Sequence, residues 1–185
     1  AAISVCEIIN ETSDIETRIK WPNDIVIDNK KIAGIIIDSS INKNNIEYIV
    51  IGIGINIVVD ILKINLFLSS SDRLSQKATS LQNELKEISF DRFILLKRLL
   101  ERMEYYLFLV QNTTENTKII EHYKKLSNIL GKSIYVYGKD VKEFSAIAKD
   151  IDRDGGLILK RENKIIEKIY YGEISIREKE KEKRN

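Results

Sequence analysis

The segment Arg18–Asp24 contains the first side chain in this sequence that could take part in catalysis. In an extended strand Arg18 and Lys20 point to one face and Trp21 to the other, and Pro22 ends the strand because it has no N–H to donate. A lysine fixed at a strand end can neutralise phosphate or carboxylate oxygens, as a transition state that gains negative charge requires. The same pattern also fits a solvated strand-end charge beside a core tryptophan.

The segment Ile51–Asn56 alternates isoleucine with glycine or asparagine. Because side chains alternate across a strand, Gly52, Gly54 and Asn56 are predicted to share one face, which is bare backbone at the two glycines. A flat ligand can lie against such a strip, and the amide at its end supplies the donor and acceptor needed to bind a heterocycle such as adenine. Alternatively, the glycines make room for a crossing helix or mark a bulge. A G-x-G-x-x-G dinucleotide fingerprint is not formed, because Ile57 follows Asn56 where a small residue is required.

The composition restricts the chemistry further. With one Cys, one His and one Met in 185 residues, the sequence offers no disulfide framework, zinc cluster or Cys/His nucleophile system. Catalysis must therefore rest on lysine, carboxylates, amides or backbone.

The charge and hydropathy give no indication of a nucleic-acid or membrane partner. Thirty Lys and Arg against 28 Asp and Glu leave a net charge of only +2. No apolar run approaches the ~20 residues of a membrane helix, so no membrane association is expected.

The hydrophobic periodicity predicts an α+β fold, in which a mixed, largely antiparallel sheet with packed helices is followed by a small β-barrel or meander. Helices are predicted over 1–11, 91–110 and 114–127. The second helix carries an apolar stripe of Phe93, Leu96, Leu99, Leu100, Met103, Tyr106 and Leu107. Strands are predicted over 17–21, 24–27, 31–38, 46–57, 133–137, 141–151, 157–159, 164–169 and 173–176. Tight hairpin turns are predicted at 28–30 and 154–156, where Asp, Asn and Gly tolerate left-handed backbone.

The same pattern predicts the domain organisation. We expect one domain over residues 1–126, a small β-domain over 127–178 and a charged tail over 179–185. Residues 58–89 lack periodicity and are predicted to form a long loop. The sequence has no initiator Met and no export signal, so we expect that it starts within a longer protein.

Several segments, taken in order, resemble the biotin protein ligases (biotin–acetyl-CoA-carboxylase ligases). The catalytic-domain motifs of that family are similar to Lys-Trp-Pro-Asn-Asp at 20–24, Lys-Ile-Ala-Gly-Ile at 31–35 and Ile-Gly-Ile-Gly-Ile-Asn at 51–56. Ala-Thr-Ser-Leu at 78–81 resembles the segment that follows the loop covering the adenylate. Gly-Glu-Ile-Ser-Ile-Arg at 172–177 resembles the last strand of the family's SH3-like C-terminal domain. The resemblance extends over residues 1 to 178.

The resemblance implies a class II synthetase-like biotin/lipoate ligase domain followed by an SH3-like barrel. It implies an ATP-dependent enzyme that converts biotin to biotinyl-5′-AMP and transfers the biotinyl group to one lysine of a biotin carboxyl carrier domain. Magnesium is expected with ATP, although the sequence identifies no metal ligand. The resemblance further implies a cytoplasmic protein and a homodimer formed through the sheet.

For biotin, the resemblance implies that Lys20 is the catalytic lysine and contacts both the biotin carboxylate and the adenylate phosphate. Ala33 and Gly34 would offer backbone to the biotin rings. Asn23 and Asp24 belong to the motif either as residues that orient the turn or as adenylate ligands.

For the nucleotide, the resemblance implies that Asn56 binds the adenine at the end of the strip formed by Gly52 and Gly54. Arg177 would approach the nucleotide when the small domain closes.

The sequence also departs from the family. The Gly/Arg-rich loop of the form G-R-G-R-x-G-R, and the Ser, Thr and Gln residues that hold biotin, precede the lysine motif in the family and do not occur here. We therefore expect a catalytic domain incomplete at its N-terminus, whose first half is either missing by truncation or supplied as a separate chain. The family's DNA-binding helix-turn-helix does not occur either, so no DNA binding is expected.

Two alternative functions remain open at the level of sequence. A lipoate protein ligase shares the catalytic fold and the adenylate chemistry, although the Trp-Pro-Asn-Asp continuation and the β-rich C-terminal segment favour biotin. A noncatalytic, degenerate partner subunit could bind adenylate or carrier protein without completing the reaction.

Overall fold

A computed structural model describes residues 1–43, 45–59, 78–85, 91–111, 116–138, 141–170 and 175–178. It divides the chain into two compact units, Ala1–Gln111 and Asn112–Asn185. The domain boundary after residue 126 stays a prediction. The predicted tail over 179–185 and most of the predicted loop over 58–89 lie outside the described residues.

The first unit begins with helix α1, Ala2–Thr12, which confirms the helix predicted over 1–11. Apolar residues recur on one side of it, and this side is buried against the sheet and a later helix. At its C-terminal end the hydroxyl of Ser13 donates to the carbonyl of Ile9 at 2.6 Å, which satisfies a carbonyl that has no partner within the helix. Among the described residues of this unit, α1 is followed by the helices α2 (Leu81–Glu84) and α3 (Arg92–Gln111).

Four strands form one antiparallel sheet in the order β1-β2-β3-β4. Their bounds are Arg18–Lys20, Asp24–Ile27, Lys30–Asn42 and Asn45–Ile55. The predicted hairpin turn between β2 and β3 is confirmed: Asp28 and Asn29 have φ values of 45° and 66° and connect the directly paired Ile27 and Lys30. The predicted antiparallel sheet is therefore present, and its turn residues explain its first hairpin.

Helix α3 is rotated relative to the prediction. Its buried residues are Leu95, Leu99 and Tyr106, whereas most of the predicted apolar stripe faces outward, with Phe93 82% exposed and Leu100 58% exposed. Polar contacts with α1 account for this rotation. Arg102 pairs with Glu7 at 2.9 Å and with Glu11 at 2.6 Å, and the Tyr106 hydroxyl donates to Glu7 at 3.0 Å.

These contacts set which side of α3 faces α1. Burial, and then the nearby Glu7 carboxylate, raise the pKa of Tyr106 above its usual value, so the hydroxyl stays protonated and donates. Hydrophobicity alone favoured the wrong side because α3 carries apolar residues on both sides, and the two carboxylates of α1 select the side that bears Arg102.

Where the structure describes it, the second unit comprises helix α4 (Asn116–Leu126) and five strands. The strands are β5 (Ser133–Gly138), β6 (Val141–Ile151), β7 (Leu157–Arg161), β8 (Ile166–Ile169) and β9 (Ser175–Glu178). They pair antiparallel in the order β8-β7-β6-β5-β9. Among the described residues the edge strands β8 and β9 do not pair with each other, so the small β-barrel or meander predicted from the sequence takes the form of an open antiparallel sheet.

The predicted turn at 154–156 is confirmed between β6 and β7. Gly155 adopts φ 83°, which favours glycine, and Asp152 Oδ1 accepts the N–H groups of Asp154 and Gly156, each at 2.9 Å. The core of this sheet comprises Ile134, Val136, Ala146, Ala148, Ile151, Leu157, Leu159 and Ile169.

Candidate functional site

Lys20, Asp24, Gly34 and Gly54 form one row across the four-stranded sheet. Lys20 lies directly opposite Asp24, Asp24 opposite Gly34, and Gly34 opposite Gly54. Directly opposed residues in a sheet point to the same face. The predicted catalytic lysine therefore shares a face with two of the predicted ligand-binding positions, Gly34 and Gly54.

Ala33 belongs to the adjacent row, formed by Ile19, Ile25, Ala33 and Ile55. Ile19 and Ile25 are fully buried, Ala33 is 2% exposed, and α1 packs against β1 and β2. The Ala33 side chain thus points to the face opposite Lys20. Of the two residues predicted to offer backbone to biotin, Gly34 is the one that lies on the lysine face.

A β-bulge sets this register. If the pairing continued regularly from Ile27 and Lys30, Asp24 would lie opposite Ala33. Between Val26 and Ile25, however, the register shifts by one residue, so that Asp24 lies opposite Gly34. Because of the extra residue in β3, Ile32 and Ala33 are consecutive and both buried. The bulge therefore moves Gly34 into the row of Lys20.

Lys31 is a charged residue of the site whose role the sequence did not indicate. Its Nζ lies 2.5 Å from Asp24 Oδ1, and its side chain passes over Gly34, where an added methyl group would lie 2.8 Å from both Lys31 Cε and Nζ. Lys20, by contrast, is half-buried and has no ion pair with any residue that the structure describes. The charge of the Asp24 carboxylate is therefore neutralised by Lys31 on β3 and not by Lys20 on β1.

The predicted glycine strip on β4 is open. A methyl group at Gly52 would come no closer than 3.8 Å to the carbonyl oxygen of Ile36, and one at Gly54 no closer than 4.0 Å to that of Gly34. The pairing of β3 with β4 is regular at both glycines, so no bulge accounts for them. No helix crosses the strip among the described residues, and this surface offers space for a flat group.

Asn56 lies at the end of the strip and connects three segments. Its N–H donates to Ile32 O at 2.8 Å, its carbonyl accepts the Leu81 N–H at 2.8 Å, and its Nδ2 donates to Thr79 O at 3.0 Å. Residues 78–81 also contact β3, because the Thr79 N–H donates to Lys31 O at 2.8 Å. Asn56 thus fixes the segment that resembles the region after the adenylate loop, a contact that its sequence position did not indicate.

Asn23 has a structural contact in the turn between β1 and β2. Its Nδ2 donates to Ile35 O at 2.5 Å, and the Ile35 N–H donates to Asn23 O at 3.1 Å. Of the two roles predicted for Asn23, orienting the turn is the one for which the structure supplies partners. Its role as an adenylate ligand stays a prediction.

Arg177 belongs to the second unit. Its backbone lies on β9 opposite Tyr135 of β5. Its proposed approach to the nucleotide stays a prediction.

Other groups contribute little chemistry. Burial raises the pKa of Cys6 to about 11, so this thiol stays protonated and packs as a small apolar side chain. Within the described ranges no three His, Cys, Asp or Glu residues come together to hold a metal ion. None of the described helices is both long and apolar enough to cross a membrane.

Two protein-family models and several curated proteins match this chain. The Biotin/lipoate A/B protein ligase family matches residues 1–56, and the Biotin protein ligase C terminal domain matches residues 129–177. The bifunctional ligase/repressor BirA of Bacillus subtilis is 32% identical over 179 residues, which cover 95% of this chain and 51% of the relative. BirA of Salmonella typhimurium is 28% identical over 178 residues, which cover 96% of this chain and 52% of the relative. The chain thus spans about half the length of these curated relatives.

A solved structure, the biotin protein ligase from Aquifex aeolicus in complex with biotin and ATP, has the same fold. The TM-score is 0.74 at 23% identity, and the match covers 96% of this chain and 69% of the other. Together these matches confirm the resemblance and the fold class predicted from the sequence.

Proposed function

Because the chain belongs to the biotin protein ligase family, we propose that it supplies part of an ATP-dependent biotin protein ligase. In this reaction the biotin carboxylate attacks the α-phosphorus of ATP, pyrophosphate leaves, and biotinyl-5′-AMP forms. The amine of an acceptor lysine on a biotin carboxyl carrier domain then attacks the biotinyl carbonyl, and AMP leaves. Both steps need positioned reactants and neutralised charge more than they need a nucleophile on the enzyme.

The observation that carries this proposal is the row from Lys20 to Gly54 on the open face of the sheet. A lysine ammonium beside bare backbone can neutralise the biotin carboxylate and the α-phosphate while the ligand lies against the strand. We assign Lys20 to the reacting anions, Gly34 with Ala33 to biotin, and Gly52 with Gly54 to the nucleotide.

The remaining predicted residues are assigned to the nucleotide. Asn56 is assigned to the adenine, and Asn23 and Arg177 are assigned to ATP or the adenylate. Magnesium accompanies ATP, whose phosphate oxygens and bound waters supply suitable ligands, and no residue of this chain is assigned to it.

The partners are the carrier domain and the part of the ligase that this chain does not span. Since the chain covers about half the length of its curated relatives, we propose that activity requires the other half, which bears the Gly/Arg-rich loop. The complete enzyme would be cytoplasmic, where ATP and the carboxylases are found, and would dimerise through the sheet.

Two alternatives are tested beside this proposal. The first family model covers lipoate as well as biotin ligases, whereas the second is specific to biotin ligases and so favours biotin. The second alternative, a noncatalytic partner subunit, would bind adenylate or carrier protein without forming biotinyl-5′-AMP.

The decisive experiment is biotin-dependent exchange of labelled pyrophosphate into ATP. The chain is assayed alone and mixed with an upstream half from a relative, with lipoate replacing biotin in a parallel series. We expect exchange with biotin in the mixture only. Exchange by the chain alone would show that the other half is not needed, and no exchange in a folded, associated mixture would overturn the ligase proposal in favour of a noncatalytic subunit.

Substitution of Lys20 tests the assignment of the catalytic cation. Lys20→Met in the mixture should lower the exchange rate by about 100- to 1,000-fold, because charge neutralisation at the reacting anions is lost. Lys43→Met is the matched control, since Lys43 is exposed at the tip of the β3–β4 hairpin. Unchanged exchange with Lys20→Met, or an equal loss in both variants, would contradict the assignment.

A further inference from the structure

Asp24 lies between two lysines and pairs with only one of them. Lys20 stands directly opposite it on β1, on the same face of the sheet. The ion pair, however, is made with Lys31, whose Nζ approaches Asp24 Oδ1 to 2.5 Å from β3. Among the described residues Lys20 has no carboxylate partner.

This choice of partner matters for the charge at the site. A carboxylate paired with Lys20 would neutralise the ammonium that the proposed reaction uses against its own anions. The Lys31 and Asp24 side chains are 47% and 30% exposed, so the pair adds little to stability, and its effect lies in where it holds the carboxylate.

Gly34 makes the pair sterically feasible. The Lys31 side chain reaches Asp24 by crossing the position that a β-carbon at residue 34 would occupy, 2.8 Å from Lys31 Cε and Nζ. The bulge in β3 places Gly34 directly opposite Asp24. The pair therefore depends on the backbone register as well as on the two charged side chains.

We propose that Lys31 is a positioning residue that holds the Asp24 carboxylate away from Lys20 and so keeps the Lys20 ammonium available to an anionic substrate group. This inference rests on the proposed function of Lys20 and adds Lys31, Asp24 and Gly34 as the unit that controls its charge. In this role Lys31 acts on Lys20 through Asp24, and its side chain also lies over Gly34, which is assigned to biotin.

A double-mutant cycle in the complemented ligase tests this role. Lys31→Met should lower the exchange rate at least about tenfold, because Asp24 is released to pair with Lys20. Asp24→Asn alone sets the reference rate, and adding Lys31→Met to it should cause little further loss, because no carboxylate remains to pair with Lys20. Lys31→Arg, which keeps a cation of similar reach, should stay close to wild type. If Lys31→Met lowers the rate as much in the Asp24→Asn background as in the wild type, Lys31 acts directly on the substrate or on the fold, and the proposal fails.

A second measurement uses the chain alone and does not depend on ligase activity. The exchange of the Lys20 ammonium protons with water is followed by NMR, because an ion pair with a carboxylate slows this exchange. Lys31→Met should slow it, and adding Asp24→Asn should reverse the change, whereas Asp24→Asn alone should have little effect. Equal effects of Asp24→Asn in both backgrounds would overturn the proposal. If these NMR changes occur but every ligase assay is silent, the proposed function fails while the role of Lys31 stands.

Discussion

Gly34 and Gly54 face each other directly across β3 and β4, yet only one of them is covered. A methyl group at Gly34 would meet Lys31 at 2.8 Å, whereas the nearest atom to one at Gly54 would be a backbone oxygen at 4.0 Å. The chain's own side chain thus fills the space over Gly34, while the space over Gly54 stays open. The two glycines therefore differ in what a substitution would disturb.

Gly54→Ala should separate stability from ligand binding. The fold has room for the methyl group, and alanine is favoured over glycine in a strand by about 0.5–1 kcal/mol, so the stability should be unchanged or slightly higher. Affinity for ATP in the complemented ligase should fall by about 1–3 kcal/mol, because the base can no longer lie against the backbone. Urea unfolding and titration calorimetry measure the two effects, with Ser39→Ala on the same sheet as control. A large loss of stability, or unchanged ATP affinity, would show that the strip is structural.

Asn56→Ala should affect both the fold and the nucleotide. Loss of the hydrogen bond from Nδ2 to Thr79 O should lower the free energy of unfolding by about 1 kcal/mol. In the complemented ligase, affinity for ATP should fall more than affinity for biotin, as measured by calorimetry with each ligand separately. Asn45→Ala, at the exposed hairpin tip, is the control. Equal loss of both affinities would mean that Asn56 acts only by holding residues 78–81.

Leu99→Ala and Leu100→Ala should have very different effects on stability. Leu99 is 7% exposed and Leu100 58% exposed, although the two are adjacent on α3. Truncating the buried leucine should cost about 2–3 kcal/mol, and truncating the exposed one less than about 0.5 kcal/mol. Urea midpoints of the two variants test this directly. Similar losses would mean that both sides of α3 are packed in solution.

The sequence was sufficient where local chemistry determines the structure. Asp28 and Asn29 tolerate left-handed backbone, so the first hairpin could be placed from residue types alone. The alternation around Gly52 and Gly54 likewise predicted which residues share the open face, because the period of a strand is fixed. The sequence placed Lys20 only on a face of its own strand, and the pairing of β1 to β4 puts it on the face of the glycines.

The sequence was insufficient where distant residues decide between similar local options. Nothing in β3 marks the bulge that brings Gly34 opposite Asp24, so the pairing of Lys31 with Asp24 could not be foreseen. The contact between Asn56 and Thr79 joins residues 23 positions apart. The rotation of α3 depends on carboxylates contributed by α1 and not on the apolar pattern of α3 itself.

The pair formed by Asp152 and Lys168 should make the stability of the second unit depend on pH. Lys168 holds the pKa of Asp152 below its usual value, and the N–H groups of Gly156 and Asp154 add to this effect. A carboxyl group whose pKa is lower in the folded state stabilises that state above its ordinary pKa, about 3.9, and loses this contribution as the pH falls through the lowered value.

Asp152→Asn should therefore reduce stability at pH 7, and its difference from wild type should shrink as the pH falls below about 4. The amide oxygen can still accept both turn N–H groups, so the substitution removes mainly the charge. Asp154→Asn is the matched comparison, because Asp154 Oδ2 lies 3.6 Å from Lys168 and its effect should be smaller. Urea unfolding of the three proteins from pH 7 to pH 3, followed by a probe in the second unit, measures this. A difference between Asp152→Asn and wild type that stays constant over this range would show that the turn, and not the ion pair, accounts for the loss.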